Sequence, residues 1–572
     1  MKEKMEQARI SHGFGPCIDE GSRTLILGSF PSVKSREAAF FYGHPQNRFW
    51  KVLELIFEDN IKPADSTESG PAGKILSSAA EPPASVQDAF NAANSEAAIA
   101  AKKDFLHRHH IALYDVIESC TITGSSDSSI RDVVPADIMG LLNAAPIERI
   151  FVNGKTAKKY YDKYLYPLCG QTAVCLPSTS PANAAWSLEK LAEKWEILVR
   201  PEIQYVDSTS NFYSDKDSRD GYLVWPDSGC GENTASAALA PQSDSIRSAS
   251  LPLPLIRFHS LDEISFVDAS FTTRFGGVSR GVLGSLNLGF NRGDSEENLL
   301  TNWERCAASM GCGLEHMIAT DQIHGTEIIK AEEGQGLGTG LAPAAVSGLT
   351  AASAVRAGSP AEEGLLRPKV SGVDGFWCDT PGLTLCASFA DCVPVYLVDP
   401  VGKRVSLAHS GWKGTVLQIA GKAVQILAGQ GSRPQDIIAV IGPSISGAHY
   451  EVTEDVICAF RTGRISGSVG IQDMAGAEGT GLEAGNSLQY PDGHEVPYSD
   501  TELSDIYIQT DKRHFHLDLW AAIYYTLIHA GVRPENIHFS GICTWENADI
   551  LWSHRRSGGK RGNMNAFLKI KD

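Results

Sequence analysis

Apolar positions along the chain fall into short runs separated by stretches with helical spacing. Residues 22–30, SRTLILGSF, form an apolar run that ends in Gly-Ser, the pattern of a strand leading into a loop. Comparable runs are HIALYDVI (110–117), ERIFVNG (148–154) and TAVCLPS (172–178), and helix-spaced segments such as RFWKVLELIFED and TAKKYYDKYL lie between them. Strands alternating with helices predict a parallel sheet flanked by helices. Further along, VPVYLVD and RVSLAH flank a Pro-Val-Gly-Lys turn and predict a β-hairpin. Cys392 opens the first of these runs and His409 closes the second. Measured from a turn near Pro400 and Val401 the two are equidistant, so an antiparallel pairing makes them cross-strand neighbours at the hairpin's mouth.

The patterned stretches are interrupted by segments of biased composition. Residues about 63–98 are rich in Pro, Ala, Ser and Glu and read as a disordered insert; 205–253 are rich in Ser, Asp, Gly and Pro and read as a flexible linker. Two more flexible inserts are expected at about 331–369 and 464–507. A chain of 572 residues exceeds one hydrophobic core. The punctuation therefore predicts domains at 1–204 and 254–572.

Composition narrows the class. Hydrophobic residues make up 42% and charged residues 21%, as in ordinary globular proteins. No apolar stretch approaches the length of a membrane span, and the start, MKEKMEQARI, is charged where a signal peptide would be apolar. The twelve cysteines show no C-x-x-C pairs, so reduced thiols and a cytoplasmic location are expected, with no membrane partner. The net charge of −18 is unevenly spread. Residues 1–204 hold 22 basic and 25 acidic side chains, against 28 and 43 in the rest. A modest DNA-contacting face is compatible with the first part, while the second is unsuited to polyanions.

Two N-terminal loops, LGSFPSVKSREAAFFYGHPQNRFW (27–50) and LPSTSPANAAWS (176–187), each follow a predicted strand, the place where ligands bind in open α/β sheets. Gly28, Ser29 and Ser180 are small enough for a backbone to approach a phosphate or base. His44, Asn47 and Asn183 can donate and accept at a base edge, and Phe30, Phe41 and Tyr42 can stack on an extruded base. These segments, with IALYDVIESCTITGSSDSSIRDVVPADI and FVNG, resemble the uracil-DNA-glycosylase superfamily, specifically its hypoxanthine (deoxyinosine) DNA glycosylase branch. The resemblance implies a three-layer α/β/α domain that hydrolyses the N-glycosidic bond of deaminated bases in DNA, hypoxanthine and also uracil, without a cofactor. Phe30 stands where mismatch-specific relatives keep a water-positioning Asn, and Asn47 takes over that role in the deoxyinosine branch. By the same resemblance, Gly28, Ser29, Phe30 and His44 contact the base, and Ser178, Ser180 and Asn183 grip the adjacent backbone. The competing reading of this half is a non-catalytic DNA-damage binding module.

In the second domain, a Cys beside a His is a nucleophile with its base, half of a metal site, or plain packing. His324, in TDQIHGTEI, supplies a third candidate. A His-Cys-His set has the count of a zinc site that keeps one position open for chemistry. The segments TTRFGGVSRGVLGSLNLGFNRGD, DQIHG, VDGFWCDTPGLTLCASFADCVPVYL, AHSGWKGT, IGPSISGAHYEV, FHLDLW and GICTWENADILWSHRRSGGKRG resemble the laccase-domain (peptidoglycan-editing-factor, multicopper polyphenol oxidoreductase) family. That resemblance implies an α+β domain acting as a zinc-dependent purine nucleoside phosphorylase, in some members also an adenosine deaminase. It assigns one Zn2+ to His324, Cys392 and His409, with purine nucleosides and phosphate as substrates. Asp391 and Arg555 are then candidate catalytic residues, and Arg274, Asn287, Lys413 and Arg556 candidate nucleoside and phosphate ligands. The chain departs from relatives at Lys413, commonly Arg, and at Ala448 and His449, often a Cys pair. A copper-dependent polyphenol oxidase is the alternative. Multicopper chemistry needs many paired histidines, whereas H-x-H occurs only at His107–His109 and His514–His516, in different domains.

Overall fold

The computed structural model describes residues 9–61, 86–123, 129–199, 203–206, 219–224, 253–339, 366–465 and 497–572. The chain forms two compact units, one built on residues up to Glu202 and the other on most of the remainder.

The N-terminal unit is an α/β fold around a four-stranded parallel sheet. Its strand order is Ile111–Asp115, Thr24–Gly28, Arg149–Asn153, Ala173–Leu176. The central strands carry uninterrupted apolar runs because both faces are covered, and Leu25, Ile26, Leu27 and Val152 are fully buried. In-register pairing brings Gly28 level with Asp115, so the loops after the strands share one edge. The run HIALYDVI is not a single strand. It breaks after Asp115, and Ile117–Thr121 joins an antiparallel ribbon with Arg9–Ser11 and Arg131–Pro135. The insert expected over 63–98 is also shorter than its composition suggested. Helices Val86–Ala93 and Glu96–Arg108 occupy its far end, the second capped by the Ser95 hydroxyl, which accepts from Ala98 N; residues 62–85 lie outside the described residues.

The C-terminal unit is α+β, with two six-stranded mixed sheets that share a core of Phe258, Phe271, Leu385, Tyr396, Leu407 and Leu568. Tyr396 ties the sheets by donating to the Ser270 carbonyl at 2.9 Å. Helices Ile419–Gly429 and Leu519–His529 cover the outer face of one sheet in a second core with Val395, Leu397 and Ile441. The expected linker is partly built into this unit. Gly221–Val224 pairs antiparallel with Leu255–Phe258, and the Asp220 carboxylate accepts from Ser260 N at 2.8 Å. The two later inserts shrink likewise. Gly338–Thr339 pairs with Leu366–Arg367, and Asp500–Ile506 is a helix opened by a Ser499–Glu502 capping box. Residues 340–365 and 466–496 lie outside the described residues. No helix among the described residues is long and apolar enough to cross a membrane.

The hairpin forms with strands Val393–Asp399 and Arg404–Ser410, but its register differs from the sequence expectation by two residues. Asp399 pairs with Arg404, and its carboxylate accepts from Val401 N and Gly402 N, so the turn spans Pro400–Lys403 and centres one position later. His409 therefore faces Pro394, and Cys392 lies diagonally beyond it. A slip of two preserves the face a side chain points to, so Cys392 and His409 still meet.

Candidate metal centre and candidate base-binding loops

The ligand atoms of His324, Cys392 and His409 all lie within 4.8 Å of one another. Their convergence is organised by a buried carboxylate that the sequence reading did not single out. Asp374 precedes strand Gly375–Cys378 and receives His324 N at 2.9 Å, Gly325 N at 2.6 Å and the His409 Nδ1 side at 3.0 Å, while its carbonyl accepts from His409 N at 2.7 Å. With Nδ1 committed to Asp374, Nε2 is the His409 atom left for a metal. The two imidazoles stand nearly perpendicular, at 87° with centroids 4.8 Å apart. Gly411 leaves room for the ligands, because a Cβ at that position would sit 3.1 Å from Cys392 Sγ and 3.2 Å from His324 Cδ2 and would press both side chains aside by a few tenths of an ångström. His324 (φ +60°) and Asp391 (φ +85°) adopt left-handed backbone conformations that side-chain-bearing residues rarely take. A signal for Asp374 existed in the sequence: a lone acid between Val373 and Gly-Phe-Trp in an apolar run needs a buried partner.

Electrostatics suit a thiolate ligand. Burial pushes the Cys392 thiol up, but the facing His409 and His324 rings more than offset this and bring it down to about 6. Burial likewise pushes Asp374 up, and its bonds to His409 and Gly325 outweigh that and hold it below the usual carboxylate range. Two imidazole nitrogens and one thiolate form the borderline-soft donor set that Zn2+ prefers. Among the described residues no fourth His, Cys, Asp or Glu joins the cluster.

The other expected residues divide by what their polar atoms touch. Asp391 lies beside Cys392, but both its oxygens are engaged, accepting from the Thr544 hydroxyl and from Arg555 N at 2.6 Å each. Arg555 extends its guanidinium to the Glu451 carbonyl at 2.6 Å and over the Tyr450 ring. Arg556 donates to the Trp545 carbonyl and covers that indole. Lys413, half-buried, sits 5.7 Å over Trp412. Arg274 is buried, donating to the Ala548 carbonyl at 3.2 Å beneath Trp552. Asn287 is fully buried; its Oδ1 accepts from Gly289 N and Asn563 N, so it binds its own loop to the C-terminal segment.

In the N-terminal unit the two expected loops do come together, fastened by Arg48, which sequence reasoning passed over. Its guanidinium donates to the carbonyls of Ser180 at 2.7 Å, Asn183 at 3.1 Å and Trp186. The neighbouring Asn47 stands one residue ahead of the cap of helix Phe49–Ile56, its Oδ1 accepting from Phe49 N at 3.0 Å, while its Nδ2 makes no hydrogen bond among the described residues. His44 Nδ1 accepts from Gln46 N. Ser178 Oγ accepts from Ser180 N, its carbonyl accepts from Asn183 Nδ2 at 2.8 Å, and Ser180 Oγ accepts from Ala182 N. Gly28 is fixed by a close approach, since a Cβ there would lie 2.1 Å from Asp115 Oδ1. That carboxylate pairs with buried His12 at 2.7 Å, and Ser29 extends the link, its carbonyl accepting from Ile117 N. The stacking expectation needs correction. Phe30 and Phe41 are buried around His12 and Tyr42 stacks on Phe49 with centroids 3.8 Å apart, so these rings pack against protein. Aromatic residues beside a turn satisfy a core more cheaply than an open platform.

Comparison with known proteins adds family to geometry. Residues 268–489 and 494–571 match the family model described as multi-copper polyphenol oxidoreductase laccase, and residues 16–200 match the uracil DNA glycosylase superfamily. The purine nucleoside phosphorylase YlmD of Bacillus subtilis is 32% identical over 54% of this chain and 89% of its own length. The crystal structure of the hypothetical protein YfiH of Bacillus licheniformis is 29% identical, covering 56% of this chain and 98% of its own, with a TM-score of 0.41. The solution structure of a putative uracil DNA glycosylase from Methanosarcina acetivorans is 27% identical, covering 34% and 98%, with a TM-score of 0.25. The chain thus belongs to the multi-copper polyphenol oxidoreductase laccase family and carries a uracil DNA glycosylase superfamily domain at its N-terminal end.

Proposed function

We propose that the chain is a cytoplasmic enzyme with two N-glycosidic-bond activities: a DNA glycosylase that excises hypoxanthine and uracil, and a zinc-dependent purine nucleoside phosphorylase with adenosine deaminase activity. The observation that carries the second half is the convergence of His324, Cys392 and His409 on one point, with Asp374 holding both histidines. Curated relatives of this half are named purine nucleoside phosphorylases. His324, Cys392 and His409 would hold Zn2+, which would supply Lewis acidity toward a substrate oxygen. The chain's own residues do the rest. Asp374 fixes ring orientation, Gly411 keeps the space beside the thiolate clear, and Asp391, through Thr544 and the Arg555 amide, holds the two loops that border it. In phosphorolysis a phosphate oxygen bonds to C1′ as the C1′–N9 bond breaks, and the base leaves with the electron pair and takes up a proton. In the N-terminal half a water oxygen bonds to C1′ of the damaged nucleotide as the C1′–N bond breaks; the base leaves with the electron pair, and the proton lost by the water balances the one the base takes up. Asn47, anchored through Oδ1, presents Nδ2 for positioning, and Ser178, Ser180 and Asn183 sit on the loop that Arg48 holds beside it.

The test is product identity. Zinc-loaded protein should release hypoxanthine from inosine only when phosphate is present. It should release hypoxanthine from inosine-containing duplexes without phosphate or metal, and Asn47→Ala should abolish only the latter. Oxygen uptake with phenolic substrates and no phosphate-dependent base release would overturn the phosphorylase reading in favour of the copper oxidase. Tight binding of inosine-containing DNA with no base released would overturn the glycosylase reading.

A further inference from the structure

Arg561 is 8% exposed and has no carboxylate partner among the described residues. Its Nη1 donates to the Gly562 carbonyl at 3.2 Å and to Asn563 Oδ1, and its Nη2 lies 3.2 Å from His554 Nδ1. Its Nε is buried without any hydrogen-bond partner. Arg292, half-buried, donates its own Nε to the same Asn563 Oδ1 at 3.2 Å. Two guanidiniums thus converge on one neutral oxygen. Burial pushes the Arg561 guanidinium down, and repulsion from Arg292 adds to that, bringing it to about 9 despite the opposing pull of Asp391 and Cys392. Arg292 is lowered by desolvation as well.

Taking two like charges out of water with no counter-charge is costly, and a fold retains such a pair where a ligand supplies the missing anion. The scaffold is built for this closeness. A Cβ on Gly289 would lie 2.8 Å from Arg292 Cγ and 3.0 Å from Asn563 Cγ, so any other residue there would push these side chains from their places. Asn287 Oδ1 fastens Gly289 N and Asn563 N, tying the Arg292 loop to the extended segment Arg561–Asn563. Arg561 Nη2 lies against His554, whose neighbour Arg555 donates its amide to Asp391, the residue beside the Cys392 ligand, so Arg561 stands on the side of the metal centre.

We propose that Arg292 and Arg561, held by Asn563 and Asn287, form a phosphate-binding subsite next to the His324–Cys392–His409 centre, and that its ligand is inorganic phosphate. The inference rests on the phosphorolysis reading of this half. Guanidiniums bind tetrahedral oxyanions through paired N–H donors, and the orphaned Arg561 Nε supplies one such donor. Arg274 and Arg556, arginines that the sequence also offered as nucleoside and phosphate ligands, each donate to a backbone carbonyl as Arg561 does, but among the described residues neither shares its acceptor with a second guanidinium in the way that Arg561 and Arg292 share Asn563 Oδ1.

The experiment uses the full zinc-loaded chain and the variants Arg561→Gln and Arg292→Gln. Phosphate is varied at fixed inosine, and inorganic phosphate and inosine 5′-monophosphate are titrated calorimetrically. The expected result is a rise in the phosphate KM of about tenfold or more in each variant, with the inosine KM and zinc content unchanged. Unchanged phosphate KM and phosphate affinity in both folded variants would overturn the subsite while leaving phosphorolysis standing. If the wild type shows no phosphorolysis but binds phosphate through these arginines, the subsite stands and the reaction assignment falls. Arginine-dependent binding of the nucleotide without binding of inorganic phosphate would overturn the ligand assignment. Arg292, the less buried of the two, carries the test should Arg561→Gln fail to fold.

Discussion

Asp374 decides whether three side chains distant in sequence become one site. Its two oxygens collect the His324 amide, the Gly325 amide and the His409 ring, so it sets both the loop and the tautomer. Asp374→Asn keeps the shape but turns one acceptor into a donor facing N–H groups. Such partners of metal ligands typically contribute 10–100-fold in affinity, and zinc affinity of Asp374→Asn should fall by about that factor. Competition against a chromophoric chelator measures it, and wild-type affinity would show that the triad is self-supporting. At this scale the sequence was informative for ligands and silent on their supports. A Cys and two His stand out by residue type, whereas Asp374, Arg48 and Arg561 matter through partners that only tertiary contacts reveal. Asn287 is of the same kind: its motif is recognisable in the sequence, but the two amides its Oδ1 collects, Gly289 N and Asn563 N, emerge only in the fold.

Among elements, the strands were legible because burial on both faces leaves long apolar runs, and the hairpin was legible from its turn. Register was not, since the four turn residues are plain in the sequence but their midpoint is not: centring the turn near Pro400 and Val401 in place of Val401 and Gly402 shifts the pairing by two. The inserts were overdrawn for a related reason. Ala- and Ser-rich composition marks both disorder and capped helices, and Glu96–Arg108 with its Ser95 cap is the latter. The strand Thr24–Gly28 shows how one position controls an element's end. Its final glycine lets the Asp115 carboxylate, paired with His12, lie against the backbone. Gly28→Ala would drive a Cβ into Asp115 Oδ1, and the cost of such overpacking is about 1–3 kcal/mol. Chemical denaturation of the N-terminal unit should register that loss together with reduced excision. A variant as stable as wild type would mean that the loop moves aside at no expense.

Across the whole molecule, the chain divides into units with different chemical demands. The three residues of the candidate metal centre, and Asp374 that orients its histidines, belong to the C-terminal unit, while the loops fastened by Arg48 belong to the N-terminal one. A ligand that binds only the folded form stabilises whatever it is thermodynamically linked to, by about 4 kcal/mol when present at a thousandfold its dissociation constant. That stabilisation should therefore enter one unit. In differential scanning calorimetry of the intact chain, zinc should raise one transition by several degrees and a chelator should lower it, with the other unmoved. Gly28→Ala identifies the transitions independently, because it should lower the one that zinc leaves alone. If zinc moves both transitions together, or if the transition that falls in Gly28→Ala is the one that zinc raises, the metal's energy is shared across the chain. The two activities would then have to be treated as one cooperative system and not as two enzymes on one polypeptide.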